Sequence, residues 1–267
     1  MRLGILGTGN MGEAILRGVL VGGAIAPELV TIFDLNTEKT KQLSAAVRVH
    51  IADSIPDLFQ KSDIVLLAVK PNVCEGIFNQ YRASFSGKAI ISIIAGWSQE
   101  HLHACLPNDV RILRVMPNTP AMVSEGMIVF EKGNTLTDEE EAFAFSLFNT
   151  VGKTISMDGN LMDAVTAVSG SGPAYVYVFI EALADGGVLR GLPRKTAYEL
   201  AAQTVLGAAR MVLDTGLHPG ELKDNVCSPN GTTIAAIASL ERDGFRGAVM
   251  EAVDACYQRS KELSNNI

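Results

Sequence analysis

Met1-Arg2-Leu3-Gly4-Ile5-Leu6-Gly7-Thr8-Gly9-Asn10-Met11-Gly12 opens the chain, and its reading decides the fold. Arg2–Leu6 reads as a short buried strand. Gly7, Gly9 and Gly12 follow in G-x-G-x-x-G spacing, and Met11–Leu20 then carries a helical apolar pattern. A glycine motif alone is weak, but strand, loop and helix in that order make the phosphate-binding turn of a βαβ unit. The first glycine permits the tight turn, the second lets a pyrophosphate approach the backbone, and the third lets the helix pack closely on the sheet. Amides at the helix start then face the anion. The competing reading is a glycine-rich turn with no ligand.

Outward from that unit, Leu29–Phe33, Val47–Val49, Ile64–Val69, Ala89–Ile94, Arg111–Met116, Met127–Phe130 and Thr154–Met157 are further candidate strands, with Glu38–Ala46 helical among them. Near-continuous apolar runs such as Ile64-Val65-Leu66-Leu67-Ala68-Val69 are what a parallel sheet buried on both faces produces. The alternation predicts an α/β fold, a Rossmann-like doubly wound parallel sheet over residues 1–158. From Leu161 onward the chain reads as helices: Pro173–Leu189, Arg194–Leu213, Thr232–Leu240 and Gly247–Leu263. Ala182, Leu183, Gly187 and Val188, and then Ala201, Ala202, Val205, Leu206, Ala208, Ala209 and Val212, are spread wider than one ~100° stripe. Residues 159–267 are therefore expected to be an all-α dimerisation domain, its excess apolar surface shared with a second subunit.

A chain of 267 residues with 48% hydrophobic side chains is too long and too apolar to be disordered. Twenty-two basic against 29 acidic residues give a net charge of −7, and without a basic cluster no nucleic-acid partner is expected. The apolar stretches at 18–26 and 89–97 fall far short of the ~20 residues a membrane span needs. The start of the chain does not read as a secretory leader, so a secreted form is not expected, and Cys74, Cys105, Cys227 and Cys256 show no metal-ligand spacing. A reducing, cytoplasmic setting and no metal site are expected.

Asp34 closes the second strand about 20 residues past the glycines, where an acidic side chain accepts from the ribose hydroxyls of the cofactor. It favours NADH, since a 2′-phosphate would want a cation there; Lys39 and Lys41 lie a turn or less away. The alternative is an ordinary turn or a helix-capping aspartate before Asn36-Thr37. Lys70, at the end of the strongest strand, faces a phosphate, a carboxylate or plain solvent, with Pro71 opening the next helix. Val115-Met116-Pro117-Asn118-Thr119-Pro120 is a stiff loop at the same sheet edge, either a nicotinamide wall or a rigid turn. Ser169-Gly170-Ser171-Gly172-Pro173 and Ser228-Pro229-Asn230-Gly231-Thr232-Thr233 each precede a helix. They read either as capping motifs, with Ser169 or Ser171 and Thr232 as caps, or as amide-rich sites for a small carboxylate substrate. His50, His101, His103 and His218 have no motif partner, so no general acid–base of the kind an alcohol dehydrogenase needs is evident. A C=N electrophile, basic enough to arrive protonated, needs none.

Together these stretches resemble the pyrroline-5-carboxylate reductases. The likeness runs through Gly7–Met11, Ala68–Pro71, Val115–Pro120, Ala164–Tyr175, Leu222–Val226 and Ser228–Thr233, and the last two are far more specific than the glycine motif. The resemblance implies hydride transfer from NAD(P)H to 1-pyrroline-5-carboxylate, giving L-proline in the last step of proline biosynthesis. It implies that Leu6, Gly7, Thr8, Gly9, Asn10, Met11, Ala68, Val69, Lys70, Pro71, Ala95 and Gly96 line the dinucleotide and that Asn225 touches its nicotinamide side. Ser228, Gly231 and Thr232 would bind the substrate carboxylate, with Thr233, the catalytic candidate, hydrogen-bonded to the ring nitrogen. It further implies a homodimer, often assembled as a ring of dimers, with helices of the partner contributing to the active site. Many members carry Asn-Arg or a serine-rich turn where Phe33-Asp34-Leu35 stands, which implies a weakened or reversed NADPH preference here. Asn230 replaces a common glycine and requires a left-handed backbone. Cys227 stands where serine or threonine is frequent.

Two other readings compete. A β-hydroxyacid dehydrogenase carries Lys and Asn in GxGxxxKxxxN, and counting from Gly170 and Gly172 those positions are Val176 and Ile180. A dinucleotide-sensing protein without turnover would have no need of the complete Ser228–Thr233 loop.

Overall fold

Strand and helix alternate through the first part of the computed structural model, which describes residues 1–265. The elements are β1 (Leu3–Leu6), α1 (Asn10–Val21), β2 (Val30–Phe33), α2 (Thr37–Val47), β3 (His50–Ile51), α3 (Ile55–Lys61), β4 (Ile64–Leu67), α4 (Pro71–Phe85), β5 (Ala89–Ser92), α5 (Gln99–Cys105), β6 (Arg111–Met116), β7 (Gly126–Glu131), α6 (Asp138–Phe148) and β8 (Gly152–Met157). The strands form one sheet in the order β3-β2-β1-β4-β5-β6-β7-β8. Neighbours from β3 through β6 pair parallel. β7 then runs antiparallel to β6, and β8 parallel to β7. The sheet is thus parallel-dominated and doubly wound, with its last two strands reversed. The link from Met116 to Gly126 contains only a 3-10 turn, Thr119–Val123, and a parallel return would have needed a full crossover.

Each inner strand sends alternate residues to opposite faces, which is why the strands read as continuous apolar runs. Leu3, Ile5, Ile64, Leu66, Ala89, Ile91, Leu113 and Val115 pack on one side with Ile15, Leu16 and Val19 of α1 and Leu147 and Phe148 of α6. Leu6, Val65, Leu67, Ile90 and Ile112 pack on the other with Leu58 and Phe59 of α3, Phe78 of α4 and Leu102 of α5. The third strand lies later than its sequence suggests. Val47 ends α2, Arg48 closes it in the left-handed region at φ 61° with its N–H on the Ser44 carbonyl, and only His50–Ile51 pairs with β2.

After β8 the described residues form helices: α7 (Met162–Val165), α8 (Gly172–Leu189), α9 (Arg194–Thr215), α10 (Pro219–Asn225), α11 (Thr232–Arg242) and α12 (Phe245–Asn265). By contacts, Met1–Ser171 with the described residues from Cys256 onward form one unit and Gly172–Ala255 the other. The boundary read from sequence texture, 158/159, lies ahead of this division, because Met162 and Val165 pack with Met116, Met127, Val129 and Met157 of the sheet unit.

Within the helical unit, α8 and α9 share a core of just three buried residues, Ala184, Ala197 and Ala201. Their large side chains point outward instead: Val178 is 66% exposed and Leu213 69%, with Tyr177, Leu200, Leu206 and Met211 more than half exposed. Large apolar side chains left exposed in this number point to a protein interface. No described helix is long and apolar enough to cross a membrane. A second copy of the chain is the expected cover. Sedimentation equilibrium at micromolar concentration is expected to give at least twice the chain mass, and a monomeric mass would contradict this account of α8 and α9.

Candidate functional site

The register places the ends of four strands level at the carboxyl edge, with Leu6 opposite Phe33 and Leu67, and Leu67 opposite Ser92. Strand order reverses between β1 and β4, and their following helices α1 and α4 pack in the cores on opposite faces. The crevice outside such a switch point is where open α/β sheets bind ligands.

The three glycines meet three different demands. Gly7 has φ +101°, and a Cβ there would lie 2.6 Å from the Ala68 carbonyl oxygen. A Cβ on Gly12 would lie 2.2 Å from the Gly7 carbonyl oxygen. Gly9 is the reverse case, since nothing lies within 4 Å of the position its Cβ would take. Gly9 is also the N-cap of α1 and no side chain caps the helix, so the first-turn amides are open to an anion. This set of one tight turn, one open approach and one close packing contact fits a dinucleotide pyrophosphate.

Asp34 is held from two sides. Thr8 N–H and Thr8 Oγ1 donate to its Oδ2 at 2.7 and 3.2 Å, and Asn36 N–H donates to its Oδ1 at 2.9 Å. Asp34 therefore does not cap α2. Asn36 does, accepting from Lys39 N–H at 3.0 Å. Glu13, in the first turn of α1, receives Arg17 Nε at 2.9 Å and Lys39 Nζ at 3.1 Å. Burial opposes its ionisation, but the two cationic partners outweigh this and hold its carboxyl below the usual range.

Ala68 and Val69 lie partly buried beyond β4, and Ala68 N–H donates to the Leu6 carbonyl at 2.8 Å. Lys70 is exposed at the N-cap of α4, with Pro71 in the first turn. Cys74 donates to the Lys70 carbonyl, and burial pushes its thiol up to about 12, which makes it a packing residue rather than a nucleophile. Ala95 is exposed and Gly96 turns at φ +80° past β5. Leu6, Gly7, Thr8, Gly9, Asn10 and Met11 are thus brought to one edge with Asp34, Ala68, Val69, Lys70, Pro71, Ala95 and Gly96.

Asn118 is 8% exposed and ties two segments: its Nδ2 donates to the Ser169 carbonyl at 3.1 Å, and its Oδ1 accepts from Met127 N–H at 2.9 Å. The Val115–Pro120 loop is therefore a braced turn. Ser169–Pro173 is not the open loop its composition suggests. Thr166–Gly170 forms a π turn, with Ser171 N–H on the Thr166 carbonyl, and runs into α8. Serine and glycine read as loop, but an i to i−5 bond satisfies the backbone here.

In the helical unit, Asn230 adopts φ +56° and Gly231 is the N-cap of α11. Thr232 is then the first helical residue, not a cap, and no side chain caps the helix. Gly231 N–H closes the turn on the Ser228 carbonyl at 3.0 Å, and a Cβ on Gly231 would meet Ser228 Oγ at 2.4 Å. The amides of Thr232 and Thr233 start an open helix, with Thr233 partly buried and Asn225 exposed at the end of α10. Sequence reading passed over Glu13. Its i,i+4 spacing to Arg17 was legible, but its partner Lys39 comes from another helix and left no local signal.

Two family models match the chain: pyrroline-5-carboxylate reductase dimerisation over residues 159–263, and NADP oxidoreductase, coenzyme F420-dependent, over residues 2–96. The pyrroline-5-carboxylate reductase of Escherichia coli (strain K12) is 41% identical over 266 residues, covering 99% of both chains. That of Synechocystis is 44% identical over 263 residues, covering 98% of both. The structure of Plasmodium falciparum pyrroline carboxylate reductase with NADP bound is 33% identical, with a TM-score of 0.90 over 99% of this chain and 98% of that one.

Substitution separates the glycines. Gly12→Ala is expected to destabilise the fold by about 2 kcal/mol through overpacking, read as a lower denaturant midpoint. Gly9→Ala is expected to leave stability within ~0.5 kcal/mol while weakening NADH binding at least tenfold, about 1.4 kcal/mol. Equal stability losses, or unimpaired binding by Gly9→Ala, would contradict the assignment.

Proposed function

The chain belongs to the pyrroline-5-carboxylate reductase family, and on that premise we propose the route by which it reduces 1-pyrroline-5-carboxylate to L-proline with NAD(P)H. The observation that carries the reading is identity above 40% along essentially the whole length of its relatives, a span that includes both the glycine turn and the Ser228–Thr233 loop.

Gly7, Thr8, Gly9, Asn10 and Met11 receive the pyrophosphate on the open first turn of α1, and Asp34 accepts from the adenosine ribose. Leu6, Ala68, Val69, Lys70, Pro71, Ala95 and Gly96 complete the dinucleotide edge, with Asn225 on the nicotinamide side. When bound, the reduced cofactor supplies the hydride. Ser228, Gly231 and Thr232 hold the substrate carboxylate on the open amides of α11, whose dipole favours an anion. Thr233 Oγ1 accepts a hydrogen bond from the protonated ring nitrogen and so sets the angle of the C=N carbon. As hydride arrives there, the iminium charge is discharged and a secondary amine remains. Since the electrophile enters already protonated, the chain's task is to position and to exclude water. This account places no duty on the four histidines.

The helical unit builds the homodimer, and a ring of dimers is the assembly we propose. The four cysteines are free thiols, which supports a cytoplasmic location.

Thr233→Ala is expected to lower kcat/KM for 1-pyrroline-5-carboxylate at least tenfold, about 1.4 kcal/mol of transition-state stabilisation. The measurement is the initial rate of NADH oxidation, and an unchanged value would remove Thr233 from the mechanism.

A further inference from the structure

The geometry points to Glu13 as a positioning residue that sets the choice between NADH and NADPH, by holding Lys39 away from the site of the 2′-phosphate. The inference rests on the dinucleotide reading of the carboxyl edge and adds a residue that does not itself touch the cofactor.

A carboxylate offers about four acceptor positions. Three on Asp34 are filled, two on Oδ2 by Thr8 N–H and Oγ1 and one on Oδ1 by Asn36 N–H. One remains on Oδ1, which suits a single ribose hydroxyl. The three bonds also prevent the carboxylate from swinging aside, so a phosphate in the hydroxyl's place would meet a fixed like charge. An NADPH site at this position needs a cation instead.

The two lysines at the start of α2 are committed to acids. Lys39 stands in the first turn of α2, its amide on the Asn36 side chain that caps the helix. Its ammonium reaches across to Glu13 of α1 at 3.1 Å, and Glu13 also receives Arg17. Lys41 pairs with Glu38 at 3.3 Å. Asp34, Glu13 and Glu38 thus match Lys39, Lys41 and Arg17 in number. A 2′-phosphate brings about −1.5 to −2 charge at neutral pH to a ribose site whose acidic residue is pinned and whose two lysines on α2 are already paired.

Glu13 is the lever of this arrangement. Without its charge, Lys39 sits on the same helix start as the Asp34–Asn36 turn and becomes available to a phosphate there. Removing the lysine while Glu13 still holds it should cost NADPH less than removing it once Glu13 is neutral.

The test is direct binding of NADH and NADPH to the full chain, followed by nicotinamide fluorescence or calorimetry. The wild type is expected to bind NADH at least tenfold more tightly than NADPH. Glu13→Gln is expected to narrow that ratio at least threefold through a gain for NADPH, and the gain should vanish in Glu13→Gln/Lys39→Gln. Lys39→Gln alone, at a partly exposed position, should shift the ratio less than the same substitution does in the Glu13→Gln background. Equal or tighter binding of NADPH by the wild type overturns the inference. So does an unmoved ratio in Glu13→Gln, a gain that survives in the double variant, or a shift in Lys39→Gln as large as the one the same substitution gives in the Glu13→Gln background. Failure of both dinucleotides to bind would overturn the underlying reading of the carboxyl edge as well, and so is distinct from a reversed ratio.

Discussion

α1 can begin where it does only because two side chains are missing. Its first turn lies so close to the β1–β4 corner that a Cβ on Gly12 would sit 2.2 Å from the Gly7 carbonyl oxygen, and one on Gly7 would meet the Ala68 carbonyl. That contact fixes the start of the helix and with it the direction of the open amides behind Gly9. It also sets Thr8, fully buried, so that its N–H meets Asp34 at the end of the neighbouring strand. The proposed phosphate and ribose contacts thus share one backbone constraint. On that proposal a net acidic chain would bind an anionic cofactor through local amides rather than through its overall field.

The helical unit obeys a different constraint. With three alanines as the buried core of α8 and α9 and large apolar side chains outside, these helices lack the burial that would offset their ordering entropy in isolation. Their stability is tied to assembly. The Ser228–Thr233 loop belongs to this unit, so the residues proposed to hold the substrate stand on the same unit as the exposed apolar faces of α8 and α9.

Much of this was legible because the signals are local. The run Ile64–Val69 reads as a doubly buried strand, and β4 takes up its first four residues, Ile64–Leu67. Asn230 had to be left-handed to replace a glycine, and it is. What escaped is what sequence does not encode locally. The reversal of β7 depends on where a link can reach, not on the composition of the strand. The π turn at Thr166–Gly170 hides in residues that usually mark loops. Asp34 looked equally like a cap because Asn36, two positions on, competes for that role, and only the observed bonds decide between them. The Glu13–Lys39 pair joins two helices 26 positions apart, with no periodicity to announce it.

The most direct test of the central claim follows the hydride itself. NADH deuterated at the reactive nicotinamide carbon is supplied with 1-pyrroline-5-carboxylate, and the product is examined by mass spectrometry and NMR. The account predicts L-proline carrying a single deuterium at the former imine carbon. Proline without that deuterium, or cofactor oxidation with no proline formed, would contradict it.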